Sequence, residues 1–209
     1  MVYYVKMSSE LRKHKDSNRY LIVSFGWMAQ RFPGANGANF EFLNHLSSSY
    51  TNVDLTFFVD KKKCWYHKGI DGLTNTIDET VDYLNQLINA KEYKHVIFMG
   101  SSGGGYASIL FGSLCNVQTV LAFCPQTIHR PQMSDPKYHD LKRIINKSTK
   151  YILHGDVLNK NKNDSHNIYE CYNISEYKNV QIIEHKGLNF KHLRDTGCYK
   201  KYINSAFGF

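Results

Sequence analysis

A chain of 209 residues fits a single domain, 1–209, and its hydrophobic share of 42% is too high for a disordered protein. Because it has neither an apolar run of the roughly 20 residues that cross a bilayer nor a signal-peptide-like start, we expect a globular, cytoplasmic protein with no membrane partner. The net charge of +8 favours acidic partners such as phosphate-bearing or carboxylated substrates, whereas the dispersed basic residues, without a helix-turn-helix or zinc-finger pattern, argue against specific nucleic-acid binding.

Short apolar runs rich in β-branched and aromatic residues alternate along the chain with longer amphipathic stretches. The runs predict strands at 20–25, 53–59, 95–99, 119–123, 151–154 and 180–184, with a further edge strand at 2–7. The stretches between them predict helices at 36–46, 76–88, 104–114, 137–145, 165–172 and 193–207. This alternation is typical of a three-layer α/β fold, a mostly parallel sheet with helices on both faces.

The segment 126–147 interrupts this alternation. It holds Pro131 and Pro136 among polar residues, which favours an irregular excursion above the sheet. We expect it to act as a lid.

The chemical signal with the most specific context is a glycine-rich turn after the strand at 95–99. Gly100-Ser101-Ser102-Gly103-Gly104 has the form G-x-S-x-G, and it lies between a strand and an apolar helix. In such a turn the serine hydroxyl projects outward, and glycines two residues before and after it leave room for neighbouring backbone. A phosphate-binding P-loop would need a lysine after the glycines, and none follows. The motif therefore predicts Ser102 as a nucleophile.

Two aspartates compete for the role of triad acid. In folds that use this turn, the serine comes first in the chain, the acid later and the histidine last. Asp156 lies at the end of the strand at 151–154, and Asp164 opens the next predicted helix. We prefer Asp164, although Asp156 could be a turn residue and Asp164 a helix N-cap without any catalytic role.

Two histidines compete for the role of general base. His185 directly follows the last predicted strand, and His192 follows it after a short loop. We prefer His192 because a loop of several residues usually separates the strand from the base. The base would take the proton of Ser102 and later return one to the leaving group.

Acyl transfer also needs amide donors for the developing oxyanion and side chains that orient the substrate. The expected donors are Gly103, after the nucleophile, and Gly26 or Trp27, after the first long strand. Four side chains are candidates for substrate contact at the rim of the site, namely Trp65, Tyr66, Tyr106 and Gln126. Ordinary packing would explain these four equally well.

The chain resembles a small α/β hydrolase over nearly its whole length. It is similar to compact hydrolase-like proteins of bacterial surface-polysaccharide gene clusters, some of which are sugar O-acetyltransferases or esterases. The segments that carry this resemblance are Phe25-Gly26, Cys64-Trp65-Tyr66-His67, Gly100 to Gly105, Cys124-Pro125-Gln126 and Leu193-Arg194-Asp195-Thr196-Gly197.

Three functions remain open from the sequence. The first is an esterase that forms an acyl-enzyme on Ser102, with a small-molecule or saccharide ester as substrate. The second is an O-acyltransferase in which a saccharide hydroxyl replaces water, and the third is a noncatalytic binding protein with a hydrolase fold. No cofactor or metal is expected, since the five cysteines are scattered without a C-x-x-C pair. The sequence does not indicate an oligomeric state.

Overall fold

The computed structural model describes residues 2–6, 10–27, 40, 42–128, 130–188, 197 and 199–208, with side chains for all of these except 2–6 and 27. Its strands are β1 (Val2–Lys6), β2 (Glu10–Lys15), β3 (Tyr20–Trp27), β4 (Asp54–Asp60), β5 (His95–Ser101), β6 (Thr119–Phe123), β7 (Lys150–Asp156) and β8 (Val180–His185). They form one sheet with the order β1-β2-β4-β3-β5-β6-β7-β8. Strands β3 to β8 are mutually parallel, and β2 is antiparallel to both of its neighbours.

Helices cover both faces of this sheet. They are α1 (Leu43–Ser49), α2 (Ile77–Asn89), α3 (Gly103–Leu114), α4 (Ile168–Tyr172) and α5 (Lys200–Phe207). One apolar core contains residues of α2, α3 and α4, and a second contains residues of α1 and α5. Successive residues of β3 alternate between them, since Leu21 and Val23 belong to the first core and Ile22 to the second. The predicted three-layer α/β architecture is confirmed.

The predicted strands are all present, with ends that differ by at most two residues. The strand β2 is the one that the sequence pattern does not predict. Its sequence, Glu-Leu-Arg-Lys-His-Lys, is rich in charged residues that are uncommon in strands. It forms because it pairs with β1 and β4 near the edge of the sheet, a tertiary contact that no local pattern encodes.

The helices agree less well with the predictions. Helices α2 and α3 are confirmed within one residue at each end, whereas the predicted helix 137–145 is wrong. Two 3-10 turns, Pro136–Tyr138 and Leu141–Ile144, replace it. Each turn starts at an aspartate, Asp135 or Asp140, whose carboxylate accepts the amide two residues later. The two side chains therefore start two separate short turns in place of one continuous helix.

Three further predicted helices are shorter or shifted. Helix α1 begins at Leu43 instead of 36, although residues 36–39 and 41 lie outside the described residues. The predicted helix 165–172 begins only at Ile168, because the Asn167 side chain caps it by accepting the amide of Tyr169. Of the predicted helix 193–207, the structure describes α5, and residues 193–196 and 198 lie outside the description. None of the described helices is long and apolar enough to cross a membrane.

Candidate active site

Ser102 lies at a sharp turn between β5 and α3. Its backbone angles, φ 54° and ψ −122°, are ones that residues other than glycine rarely adopt, at a cost of roughly 1–3 kcal/mol. The Ser102 amide donates to the carbonyl of Phe123 at 2.9 Å, which ties the turn to the end of β6. The side chain is partly exposed at the carboxyl edge of the sheet, where open α/β sheets bind their ligands.

Two glycines make this turn possible. A Cβ on Gly104 would lie 2.1 Å from the carbonyl oxygen of Phe25, and one on Gly100 would lie 2.4 Å from the carbonyl oxygen of Gly104. Both obstacles are backbone atoms, which cannot move aside as the end of a side chain can. The close approach of α3 to β3 and β5 therefore requires glycine two residues before and after Ser102.

His166 is the side chain that contacts the Ser102 hydroxyl. The Oγ atom of Ser102 and the Nε2 atom of His166 are 2.7 Å apart, a hydrogen-bond distance. His166 lies in the loop between β7 and α4, and its side chain is 43% exposed. The predicted candidates do not include His166, because the usual chain order points to a histidine after the last strand.

Asp164, the preferred acid, lies beside this histidine. Its Oδ1 accepts the backbone amide of His166 at 2.8 Å and is 3.4 Å from the imidazole Nδ1. The hydrogen bond from the His166 amide lowers the pKa of Asp164, with a smaller contribution from the side chain of Asn159. The structure thus brings together Ser102, Asp164 and a histidine other than the predicted ones. Asp164 is itself 42% exposed, so its electrostatic effect on the imidazole is screened by solvent.

Asp156, the alternative acid, holds backbone amides. Its Oδ1 accepts from Leu158 and from Gly187, each at 2.9 Å, and so joins the loops after β7 and β8. Gly187 begins the segment that leads toward His192, which lies outside the described residues. The preference for His192 as the base therefore stays a prediction.

His185, the alternative base, is paired elsewhere. Its Nε2 atom lies 2.9 Å from Nδ1 of His154, a fully buried residue of β7. Burial lowers the pKa of both, that of His154 to about 3. His185 is the last residue of β8 and contacts the neighbouring strand, while His166 is the histidine that contacts Ser102 Oγ in this structure, so the role of His185 as the base stays a prediction.

The predicted oxyanion donors lie on two elements. Gly103 is the first residue of α3, where the amides have no partner within the helix, so its N–H can face a developing oxyanion. Gly26 and Trp27 lie within β3, opposite Val59 and Asp60 of β4, because the strand runs two residues further than predicted. The residues directly after Trp27 lie outside the described residues. The donor roles of Gly103, Gly26 and Trp27 stay predictions.

Trp65 and Gln126, two of the predicted substrate contacts, bind each other. The indole Nε1 of Trp65 donates to Oε1 of Gln126 at 2.7 Å, and both side chains are less than a tenth exposed. This bond connects the loop after β4 with the chain after β6, across the carboxyl edge of the sheet. That either side chain contacts a substrate stays a prediction.

Asp60 shapes the loop that carries Trp65. The Oδ2 atom of this buried carboxylate accepts the amides of Cys64 and Tyr66, at 2.8 and 3.1 Å. Burial raises the pKa of Asp60, and the hydrogen bonds from these amides oppose that rise. Lys63, Trp65 and Tyr66 all have positive φ, so Asp60 offsets a strained backbone in this loop.

Tyr66 and Tyr106 are core residues, and the rim position expected for them is corrected. Both are fully buried, and their hydroxyls bind protein groups. The Tyr66 hydroxyl donates to the carbonyl of Gly26 at 2.6 Å, and the Tyr106 hydroxyl donates to the carbonyl of Tyr138 at 2.7 Å. Their side chains leave no surface for a substrate in this structure.

The segment 126–147 is packed onto α3. Met133, Tyr138 and Leu141 are buried in the core that contains α3, and the amide of Asp135 donates to Nδ1 of His67 at 3.1 Å. The Nε2 atom of that histidine lies 2.8 Å from the Tyr106 hydroxyl, so the segment is also fastened by polar contacts. It packs against α3 in this structure, and its role as a lid stays a prediction.

Within the described parts of the chain, no three His, Cys, Asp or Glu side chains come together as a possible metal site. No family model matches the sequence, and the comparison with curated proteins finds no match.

Solved structures, in contrast, are similar to this chain over nearly all of its residues. The capsule O-acetyltransferase of Neisseria meningitidis serogroup A has a TM-score of 0.65 at 14% identity, covering 99% of this chain and 94% of that one. Thermogutta terrifontis esterase 2 has a TM-score of 0.60 at 10% identity, with 100% and 95% covered. A predicted CIB-like hydrolase of Thermoplasma acidophilum has a TM-score of 0.55 at 15% identity, with 99% and 96% covered. With the serine turn at the carboxyl edge of a mostly parallel sheet, these likenesses show that the chain has the α/β-hydrolase fold.

Proposed function

We propose that this protein is a serine esterase that forms an acyl-enzyme on Ser102. The observation that carries the proposal is the 2.7 Å contact between Ser102 Oγ and His166 Nε2 at a strained, partly exposed turn. A serine hydroxyl is a weak nucleophile until an adjacent base removes its proton. The contact has the length and the partners that such an activation needs.

The reaction follows from these atoms. With the proton of neutral His166 on Nδ1, Nε2 accepts the Ser102 proton while Oγ attacks the ester carbonyl carbon. The carbonyl π electrons move to oxygen, and the Gly103 amide at the start of α3 donates to that oxyanion. The imidazolium returns its proton to the leaving alcohol as the C–O bond breaks. Water then attacks the acyl-enzyme by the same route, releasing the carboxylic acid and restoring Ser102.

Asp164 supports this cycle from outside the core. The Asp164 carboxylate lies 3.4 Å from Nδ1 of His166 and favours the imidazolium that forms in each half of the reaction. The same carboxylate accepts the backbone amide of His166, which holds the His166 backbone in place. Because both side chains are about two-fifths exposed, we assign Asp164 a smaller contribution than a buried triad aspartate makes.

O-acyl transfer to a saccharide is the second candidate. It is favoured by the likeness to the capsule O-acetyltransferase, one structure of which contains CoA and covers 97% of this chain. The same acyl-enzyme serves both reactions, because only the acceptor changes from water to a sugar hydroxyl. The net charge of +8 also suits a phosphate-bearing acyl donor.

The experiment that tests the nucleophile and the base is labelling by a fluorophosphonate, followed by intact-mass measurement. We expect one adduct on the native chain, no adduct on Ser102→Ala, and greatly slowed labelling of His166→Ala. His192→Ala is the matched comparison, and it should label at the native rate. If His192→Ala is the slow variant, the base is His192. If the folded native chain takes no adduct, the noncatalytic alternative replaces the proposal.

A second measurement separates the two reactions. Unlabelled native protein is incubated with p-nitrophenyl acetate or acetyl-CoA, each with and without a saccharide acceptor. Acetic acid and acetylated sugar are then quantified. An esterase releases acetic acid at the same rate with or without the sugar. An acyltransferase forms the sugar ester at the expense of acetic acid.

A further inference from the structure

The end of β6 contacts the turn that carries the nucleophile. Phe123, the last residue of β6, accepts the Ser102 amide with its carbonyl at 2.9 Å. The next residue, Cys124, donates its amide to the carbonyl of His154 at 2.7 Å, which fixes this chain to β7. A short, hydrogen-bonded stretch therefore starts beside Ser102 and runs to Thr127.

Glu170 of α4 holds the far end of that stretch. Its Oε2 accepts the amides of Thr127 at 2.6 Å and Ile128 at 3.2 Å, and the Thr127 hydroxyl donates to the Glu170 carbonyl at 2.7 Å. Its Oε1 accepts from Nη2 of Arg130 at 2.5 Å. The side chain is 6% exposed, so a buried carboxylate is compensated by one cation and several donors.

The same helix fixes His166. Helix α4 begins two residues after His166, where Asn167 caps it by accepting the Tyr169 amide at 3.0 Å. The amide of Ile168 donates to the carbonyl of Asn159 at 2.9 Å. The position of the first turn of α4 thus determines where the His166 backbone enters the site.

We propose that Glu170 is a positioning residue that sets the distance between His166 and Ser102. The proposal rests on the proposed function. Glu170 anchors α4, which follows His166, to the chain after β6, which lies beside Ser102. It therefore holds His166 close to Ser102 without contacting either residue. Its contacts are internal to the protein and it is buried, so it acts through His166 and does not touch a substrate. A displacement of about 1 Å at a reacting group can cost on the order of a hundredfold in rate.

The test measures the labelling kinetics of Glu170→Gln, with the maximal rate of adduct formation separated from the half-saturating fluorophosphonate concentration. We expect the maximal rate to fall about tenfold to a hundredfold while the half-saturating concentration stays the same. Glu184→Gln is the matched control, because Glu184 also accepts a hydrogen bond from α4, from the Tyr172 hydroxyl at 2.6 Å, at the opposite end of the helix. It should label at the native rate.

A second variant and a second readout keep the proposal open to refutation. Thr127→Val removes the hydroxyl that donates to the Glu170 backbone carbonyl at 2.7 Å and to Glu170 Oε2 at 3.3 Å. It leaves the buried carboxylate paired with Arg130, so it serves if Glu170→Gln does not fold. It should reduce the maximal rate by less than Glu170→Gln does. The NMR resonance of the His166 imidazole, assigned with His166→Ala, should move in Glu170→Gln and Thr127→Val but not in Glu184→Gln.

The outcomes distinguish the two proposals. If the native chain labels and the folded Glu170 and Thr127 variants label equally fast, Glu170 does not position the base. If the native chain does not label, the proposed function is wrong. In that case an unchanged His166 resonance in both variants overturns the positioning role as well, and a shifted one retains the structural coupling of Glu170 to His166.

Discussion

Ser102 Oγ and His166 Nε2 are 2.7 Å apart, although 64 residues of chain separate them. The sheet explains this contact, because β5 and β7 are parallel strands that flank β6 and end at the same edge. Ser102 follows β5 directly, and His166 lies on the loop after β7. The histidine that contacts Ser102 therefore lies on the loop after β7, the second-last strand in the chain, and Asp164 lies on the same loop.

The charge of Asp164 should matter only modestly for catalysis. In Asp164→Asn the amide oxygen still accepts the His166 amide, so this substitution removes the charge and keeps the turn. An exposed ion pair contributes about 1 kcal/mol or less, which corresponds to about a fivefold loss of kcat/KM for an activated ester. Asp164→Ala, which also removes the acceptor, should lose more. A thousandfold loss in Asp164→Asn would instead show that this carboxylate acts as a buried triad aspartate does.

The turn that carries Ser102 could be predicted from the sequence, because its geometry is encoded locally. Glycines at 100 and 104 are needed for backbone contact, and the apolar runs on either side define the strand and the helix. The same local patterns predict seven of the eight described strands. The strand β2 could not be predicted, since its charged sequence forms a strand only through pairing with β1 and β4.

The contact of Ser102 with His166 could not be predicted in the same way. His166 lies within the predicted helix 165–172, where a histidine looks like a surface residue. The signal that was available is Asn167, a favoured N-cap residue, which delays the helix to Ile168 and leaves His166 in a turn. The contact itself depends on how β5, β6 and β7 are ordered, and the spacing of residues does not specify that order.

Gly104 should be far less replaceable than a glycine outside the site. In Gly104→Ala the new Cβ would meet the Phe25 carbonyl oxygen at 2.1 Å, so α3 must move away from β3. We expect a loss of about 3 kcal/mol or more in the free energy of unfolding, measured by urea denaturation. Gly72→Ala is the control, because Gly72 has φ +77° but no atom within 4 Å of its Cβ position. It should cost about 1 kcal/mol, and equal losses in the two variants would refute the close-approach argument.

The Trp65–Gln126 hydrogen bond should appear as a coupling in stability. Trp65→Phe removes the donor and leaves the buried Gln126 oxygen without it, at a cost of about 1–3 kcal/mol. The same substitution in a Gln126→Met background leaves no such polar group and should cost less. The difference between the two costs, from urea denaturation of the four chains, should be about 1 kcal/mol. A difference near zero would mean that the indole contributes by packing alone.

The buried His154 should make the protein lose stability as the pH falls. Its side chain is fully buried between Phe123 and Tyr202, at ring distances of 4.6 and 4.2 Å. Burial, with smaller contributions from His185 and Lys201, lowers its pKa from 6.5 to about 3. Between pH 6.5 and 3 the unfolded chain therefore binds a proton that the folded chain does not. The stabilising contribution is complete above pH 6.5 and decreases progressively as the pH falls toward 3.

From pH 7 to pH 5 this proton should cost about 2 kcal/mol of unfolding free energy. His154→Phe keeps an aromatic ring between Phe123 and Tyr202 and removes the titrating group, so its stability should fall by about 2 kcal/mol less over that interval. Burial also lowers the pKa of His14 and His95, which adds to the slope of both chains equally and cancels in the comparison. Burial lowers the pKa of His185 as well, and His185 contacts His154, so the difference between the two chains reports on the His154–His185 pair. Urea denaturation of the two chains at both pH values gives the difference. If the native chain and His154→Phe lose stability in parallel as the pH falls, His154 binds its proton in the folded state as readily as in the unfolded one. The contact between His154 Nδ1 and His185 Nε2, 2.9 Å long, would then have to change so that the protonated ring is stabilised.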